Sequence, residues 1–157
     1  MSILVAENNF KKGLAALVDD NHVEAAVFFR RALDVERQRH VRSPNMRYLS
    51  YYGLCLAKTN RPIGEAIHAC RTAVRRETGD PELYLNLGRV FTLARRLREA
   101  RETVDDGLKI APDHDGLRNE RDKISTRLGL RGGPVRRRRA GVRGILRRLT
   151  GAAPTAS

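Results

Sequence analysis

Cysteine is scarce in this chain: two residues, Cys55 and Cys70, among 157. Both fall on helix faces predicted to look inward, so small buried apolar thiols are expected rather than a disulfide. His22, His40, His68 and His114 are scattered without ligand spacing, and no metal is expected. No stretch approaches the roughly 20 apolar residues that span a bilayer. The opening segment, Met-Ser-Ile-Leu-Val-Ala-Glu-Asn-Asn, lacks the basic leader, apolar run and cleavage site of a signal peptide. A cytoplasmic protein is the expectation.

Catalytic patterns are missing as well. Neither a phosphate-cradling glycine loop nor zinc-ligand spacing occurs. Asp19-Asp20 and Asp105-Asp106 are paired acids, the first at a turn and the second on the outer side of a helix. Adjacent helical residues point about 100° apart, so neither pair makes a carboxylate dyad. Without a convergent nucleophile, base and charge-stabilising group, no enzyme and no cofactor is expected. Lysine is rare beside arginine, which fits a GC-rich genome as well as it fits guanidinium chemistry. The arginines are therefore not each counted as phosphate ligands.

What is present is a repeat. Gly13-Leu14, Gly53-Leu54 and Gly88-Arg89 are each followed, twelve or thirteen residues later, by Glu24-Ala25, Glu65-Ala66 and Glu99-Ala100. Small residues at these points let two helices approach closely. Around Gly53 stand Leu49, Tyr52 and Leu56, and around Gly88 stand Tyr84, Leu87 and Phe91, on one helical stripe. The partner helices carry Ala25, Phe29 and Ala32, then Ala66, Cys70 and Ala73, then Ala100, Val104 and Gly107. Glycines 40 and then 35 residues apart suit a stacked helix-pair array and are too close for separate domains.

The third unit runs from Pro81 through Glu82-Leu83-Tyr84-Leu85-Asn86-Leu87-Gly88-Arg89-Val90-Phe91 to Ala100, Val104, Gly107 and Pro112. It resembles the tetratricopeptide repeat family at nearly every signature position. The second unit matches with one extra residue in its turn, Asn60-Arg61-Pro62. The resemblance covers residues 6 to 112. It implies an all-α, right-handed helix-hairpin solenoid of three repeats over 3–112, with pairs at 3–40, 44–79 and 81–111. In the first unit Asn9 and Lys12 replace apolar residues of the other two, as an end repeat with nothing stacked on it requires. Its second helix starts with an Asn21-His22-Val23-Glu24 capping box and runs long, towards His40. Ser43-Pro44 is expected to open the next helix. Beyond Pro112, Leu117, Ile124 and Leu128 mark a capping helix over 113–130, with Lys123 where a 35-residue period would put a glycine.

The resemblance further implies that the first helices line an inner groove, where the inward positions are Phe10, Leu14, Leu17, Ser50, Leu54, Ala57, Leu85, Arg89 and Thr92. A mostly apolar strip implies an apolar or amphipathic peptide of a partner protein as ligand. The other occupants weighed are the chain's own terminus and a second copy. One branch of the family grips a C-terminal carboxylate with a lysine and an asparagine. Phe10 and Leu14 stand at those positions here, so that grip is not inherited. Arg47 and Arg89 are candidates to pair with acidic residues of a partner.

The net charge of +13 is mostly an appendage. Residues 131–157 hold eight arginines and no acid, for +8, and the remainder of the chain holds +5. After an Arg131-Gly132-Gly133-Pro134 hinge come Arg136, Arg137, Arg138 and Arg139. Val142, Ile145, Leu146 and Leu149 then share a helical stripe over 140–149, with Arg143, Arg147 and Arg148 largely off it. Four roles stay open for this tail: a disordered solubilising end, an anionic membrane surface, nucleic acid, or protein. It has no Phe, Tyr or Trp for base stacking, so sequence-specific reading of single strands is not expected. The sequence thus predicts a non-enzymatic protein-interaction adaptor, with an anionic-surface factor bound through the tail as the alternative.

Overall fold

The computed structural model describes residues 2–59 and 61–130. The described residues form α1 (Ser2–Val18), α2 (His22–Gln38), α3 (Met46–Lys58), α4 (Ile63–Arg76), α5 (Pro81–Leu93), α6 (Leu97–Ile110) and α7 (Asp115–Arg127), with no strand among them. Helices pair as α1/α2, α3/α4 and α5/α6, and the pairs stack, α3 meeting α2 and α5, and α7 meeting α5 and α6. The chain is an all-helical, helix-hairpin solenoid closed by one extra helix.

Close approach within each pair rests on the glycines. A Cβ on Gly13 would lie 2.5 Å from the Phe29 ring, one on Gly53 2.7 Å from Cys70 Sγ, and one on Gly88 2.6 Å from Val104 Cγ2. Phe29, Cys70 and Val104 occupy the same place in their repeats, four residues after the signature alanine, and all three are wholly buried. Gly53 also has the Ala66 carbonyl only 3.0 Å from where its Cβ would stand, so the second-helix alanine is what allows the contact.

Capping explains where most helices begin. Asn21 accepts from the Glu24 N–H at 3.2 Å, and its own amide donates to the Glu24 carboxylate at 2.8 Å. This is a capping box in which the acid returns to the Asn21 side chain rather than to its backbone. Asp80 caps α5 just before Pro81, as a first-turn proline allows. At α3 the expected Ser43-Pro44 start is displaced: Asn45 is the cap, accepting from Arg47 N–H at 3.0 Å. The Glu36 carboxylate draws the Asn45 N–H back to α2 at 3.1 Å, so Ser43 and Pro44 belong to the connection.

Four helices end the same way. The residue after the cap turns to positive φ at Asp20 (58°), His40 (48°), Arg95 (59°) and Gly129 (67°). The next N–H then bonds five residues back, as in Asn21 to Ala16 (2.8 Å) and Arg96 to Phe91 (2.9 Å). These are Schellman terminations, and three of them lack the usual glycine.

The closing helix follows a 34-residue period rather than 35. Leu117, Ile124 and Leu128 stand 34 residues after Leu83, Val90 and Ala94, which puts Asp122, not Lys123, opposite the repeat glycine. Leu117 and Ile124 are wholly buried, and Arg118, Asp122 and Lys123 face solvent. The opposite end of the stack is polar: Asn8, Lys11 and Lys12 are exposed on α1 where Tyr48, Tyr51 and Tyr52 of α3 meet the repeat before them.

Candidate protein-docking face

A line of side-chain contacts runs from one first helix to the next. Phe10 of α1 meets Tyr48 and Tyr51 of α3, with ring centroids 4.9 and 5.5 Å apart. It also lies 5.5 Å from Phe29. The Tyr51 hydroxyl then donates to Glu82 Oε1 of α5 at 2.6 Å. Burial and that hydrogen bond push the Tyr51 phenol well above its ordinary range. The other oxygen of Glu82 lies 3.4 Å from His114 Nε2. His114 Nδ1 accepts the Leu117 N–H at 3.2 Å, which leaves Nε2 to carry the proton and turns it towards Glu82. One carboxylate thus joins α3, α5 and the cap of α7.

Beside this line, Arg47 is held by Asp80. Its Nε donates at 2.5 Å and Nη2 at 3.2 Å, and Asp80 Oδ1 also accepts the Glu82 N–H at 3.0 Å. The bond to Asp80 raises the guanidinium further above its ordinary range. A buried carboxylate shared between an arginine and a helix N-terminus is a structural tie.

The remaining predicted groove residues divide by burial. Ser50, Leu54, Leu85 and Thr92 are buried, and the Ser50 hydroxyl has no hydrogen-bond partner among the described residues. The helices stacked on each strip account for this. A Cβ on Gly116 of α7 would stand 2.8 Å from Leu85 Cδ2, and Thr92 Oγ1 lies 3.2 Å from Glu120 while donating to Gly88 O at 2.9 Å. Phe10, Leu14 and Leu17 are half-buried around Ala16, Phe29 and Cys55. Arg89 is half-exposed and has no carboxylate within 4.0 Å among the described residues. The strip read as a continuous apolar groove is therefore largely interior, and the face keeps Leu14, Leu17, Arg47, Arg89, Tyr51 and Glu82 at its surface.

Tyr51, Glu82, Asp80 and His114 were not among the residues that the repeat offsets single out. Glu82 sits nearly two turns before its glycine, and only the adjacent Asp80-Pro81 start signal marks the segment. The tail arginines, Arg136, Arg137, Arg138, Arg139, Arg143, Arg147 and Arg148, lie outside the described residues. Among the described residues no cluster of three metal-ligating side chains occurs, and no helix is long and apolar enough to cross a membrane.

Three stacked helix pairs held close by a glycine in each first helix, a closing helix and a tied row of first helices define a helical-repeat fold of tetratricopeptide type. The family model described as tetratricopeptide repeat matches residues 63–118. No curated protein matches the chain in sequence. Among solved structures it is similar to a thermophilic TPR protein of Thermus thermophilus, with TM-score 0.70 and 18% identity over 80% of this chain and 66% of that one. It is also similar to the Sgt2 TPR domain of Aspergillus fumigatus, with TM-score 0.65 and 15% identity over 97% and 86% of the two chains. The first TPR of Spaghetti (RPAP3), bound to the HSP90 peptide SRMEEVD, gives 0.64 and 19% over 80% and 97%. Residues 63–118 thus match the tetratricopeptide repeat family, and the described residues have the tetratricopeptide fold.

Proposed function

We propose that the protein is a non-enzymatic adaptor that holds a segment of a partner protein against the row of first helices. The observation that carries this reading is Arg89: a half-exposed guanidinium on that face, with no carboxylate of the described residues within ion-pair distance, beside the Tyr51–Glu82 tie. An open cation on α5 and half-buried Leu14 and Leu17 on α1, one first helix apart, suit an amphipathic segment whose apolar side meets α1 and whose acidic side meets α5. A related fold, the first TPR of Spaghetti, is bound to a peptide ending in acidic residues. The lysine and asparagine that grip such a terminus in one branch of the family correspond here to Phe10 and Leu14, so an internal segment is favoured over a free carboxyl end.

Crosslinking and affinity capture from the native cell, with the full chain, Leu14→Glu and Arg89→Glu, test the reading. Both substitutions fall on partly exposed positions and leave the helical signal intact. Loss of the same captured protein from both variants supports face recognition. Retention by two folded variants sinks it.

A further inference from the structure

The two junctions between repeats differ on the side of the second helices. At the junction of the second and third repeats, Phe91 is buried between two guanidiniums, Arg71 and Arg96, each 5.2 Å from its ring. Glu99 pairs with both arginines, 3.6 Å from Arg71 and in contact with Arg96. Ile67 is buried alongside. An aromatic ring, two cations and one acid thus close that junction.

The first junction repeats the polar parts without the filling. Arg30 and Glu65 stand where Arg71 and Glu99 stand in the other, and Arg61, one residue before the Pro62 cap, lies in the turn that carries Arg96 there, yet among the described residues none of the three has an ion-pair partner within 4.0 Å. Leu56 replaces Phe91 and Ala26 replaces Ile67. Tyr52, in place of Leu87, forms part of the wall. These residues, with Val23, Val27 and Thr59, line a cleft of about 440 Å³, within the range of roughly 300–1,000 Å³ found for ligand sites. Val23 is 67% exposed and Val27 45% exposed at its rim.

We infer that this cleft is a docking site for a partner segment presenting an aromatic side chain flanked by carboxylates. The occupied junction is the template: the missing ring comes from the partner, and its acids meet Arg30 and Arg61. Charge argues against the other occupants. The tail has eight arginines and no acid or aromatic residue, so it would bring like charge to Arg30 and Arg61. A second copy would offer half-exposed Phe28, but that ring is flanked by Lys12 (5.9 Å) and Arg31 (5.8 Å), cations again.

The test is a titration of the full chain, methyl-labelled, with a blocked pentapeptide of phenylalanine between aspartate and glutamate on each side. Saturable shifts are expected on Val23, Val27 and Leu56. Leucine for the phenylalanine, amides for the acids, or Arg30→Ser with Arg61→Ser should each weaken binding about tenfold or more. Ala26→Ile places the side chain of Ile67 in the cleft and should abolish the response without lowering stability. The proposal is overturned if no saturable response appears, if the shifts fall on the Leu14 and Arg89 face instead, or if Ala26→Ile and the arginine variants bind as the parent does. It is equally overturned if, before any peptide is added, the Val23 and Val27 signals depend on protein concentration or move when Ile145, Leu146 and Leu149 are replaced by serine. Those results would make a second copy or the tail the occupant.

Discussion

A glycine that looks like punctuation in a helix can be a contact, and its surroundings decide which. Gly53 faces Cys70 Sγ, the Ala66 carbonyl and Ala69 Cβ, two of them parts of the backbone or fixed to it, so even with the Cys70 thiol turned aside the other two stay 3.0 and 3.1 Å from the added Cβ. Overpacking of this kind costs about 1–3 kcal/mol, against up to about 1 kcal/mol gained in helix propensity. Gly53→Ala should therefore lower the urea midpoint, while Gly64→Ala, where nothing lies within 4 Å of the added Cβ, should leave it unchanged or raise it. Equal responses of the two variants would refute the contact argument. The buried cysteines give a second test. Burial pushes both thiols up to about 12 from an ordinary 9.0, so above pH 9 the unfolded chain releases protons that the folded one keeps. Unfolding is then favoured as pH rises, and stability should fall from about pH 9 towards 12. Tyr51, raised in the same direction, adds to the loss. Denaturation at pH 8 and pH 10.5, compared between the parent and a Cys55→Ala, Cys70→Ala variant, should show a smaller alkaline loss in the variant. The small residues and the inward thiols were legible in the sequence because the repeat fixes their phase. The Tyr51–Glu82–His114 line was not, because it joins positions at different offsets on three helices.

Elements were readable in their middles and less so at their ends. Apolar spacing identifies a helix, but its stop depends on one residue accepting positive φ, and at Asp20, His40 and Arg95 no glycine announces it. Likewise Ser43-Pro44 has the chemistry of a start signal, and Asn45 takes the role because Glu36 fixes its N–H. The 34-residue register of α7 was obscured by the single extra residue in the α3–α4 turn, which makes the preceding glycines 35 apart. A non-glycine residue in the left-handed region costs about 1–2 kcal/mol. Arg95 is exposed and makes no side-chain hydrogen bond or ion pair among the described residues, so Arg95→Gly should stabilise the protein by about 1 kcal/mol, seen as a higher urea midpoint at unchanged slope. A decrease would mean that the Arg95 side chain holds something more valuable than backbone ease. At the closing helix, Leu117 is wholly buried and touches both α5 and α6 through Tyr84 and Gly107 surroundings. Leu117→Ala should cost about 2–5 kcal/mol, and a change under about 1 kcal/mol in the same assay would show that α7 does not close the stack.

At the scale of the whole molecule, stability in such a stack is approximately a sum of repeat terms and nearest-neighbour interfaces. The two interfaces between repeats are chemically unlike. The second is continuous, with Leu54, Ile67 and Cys70 of one repeat and Leu87, Val90 and Phe91 of the next in one cluster and the guanidiniums of Arg71 and Arg96 against the Phe91 ring. The first depends on the ring cluster of Phe10, Phe29, Tyr48 and Tyr51, and leaves the Ala26–Leu56 cleft unfilled. The apolar strip could be read from sequence as facing inward, but whether inward means groove or interior depends on the tilt at which the next helix is laid across it. No single-helix pattern carries that angle. The unequal interfaces make the first repeat the unit that detaches first, and Phe10 is the side chain that three of the rings share. Phe10→Ala should cost about 2–4 kcal/mol, below the upper end for a fully buried ring because Phe10 is only half-buried. The loss should be local: amide hydrogen exchange in α1 and α2 should accelerate strongly while α5 and α6 keep their protection, and urea unfolding should broaden as the first repeat separates from the rest. Uniform acceleration across all helices would instead mean that the three repeats unfold as one cooperative unit despite the unequal junctions.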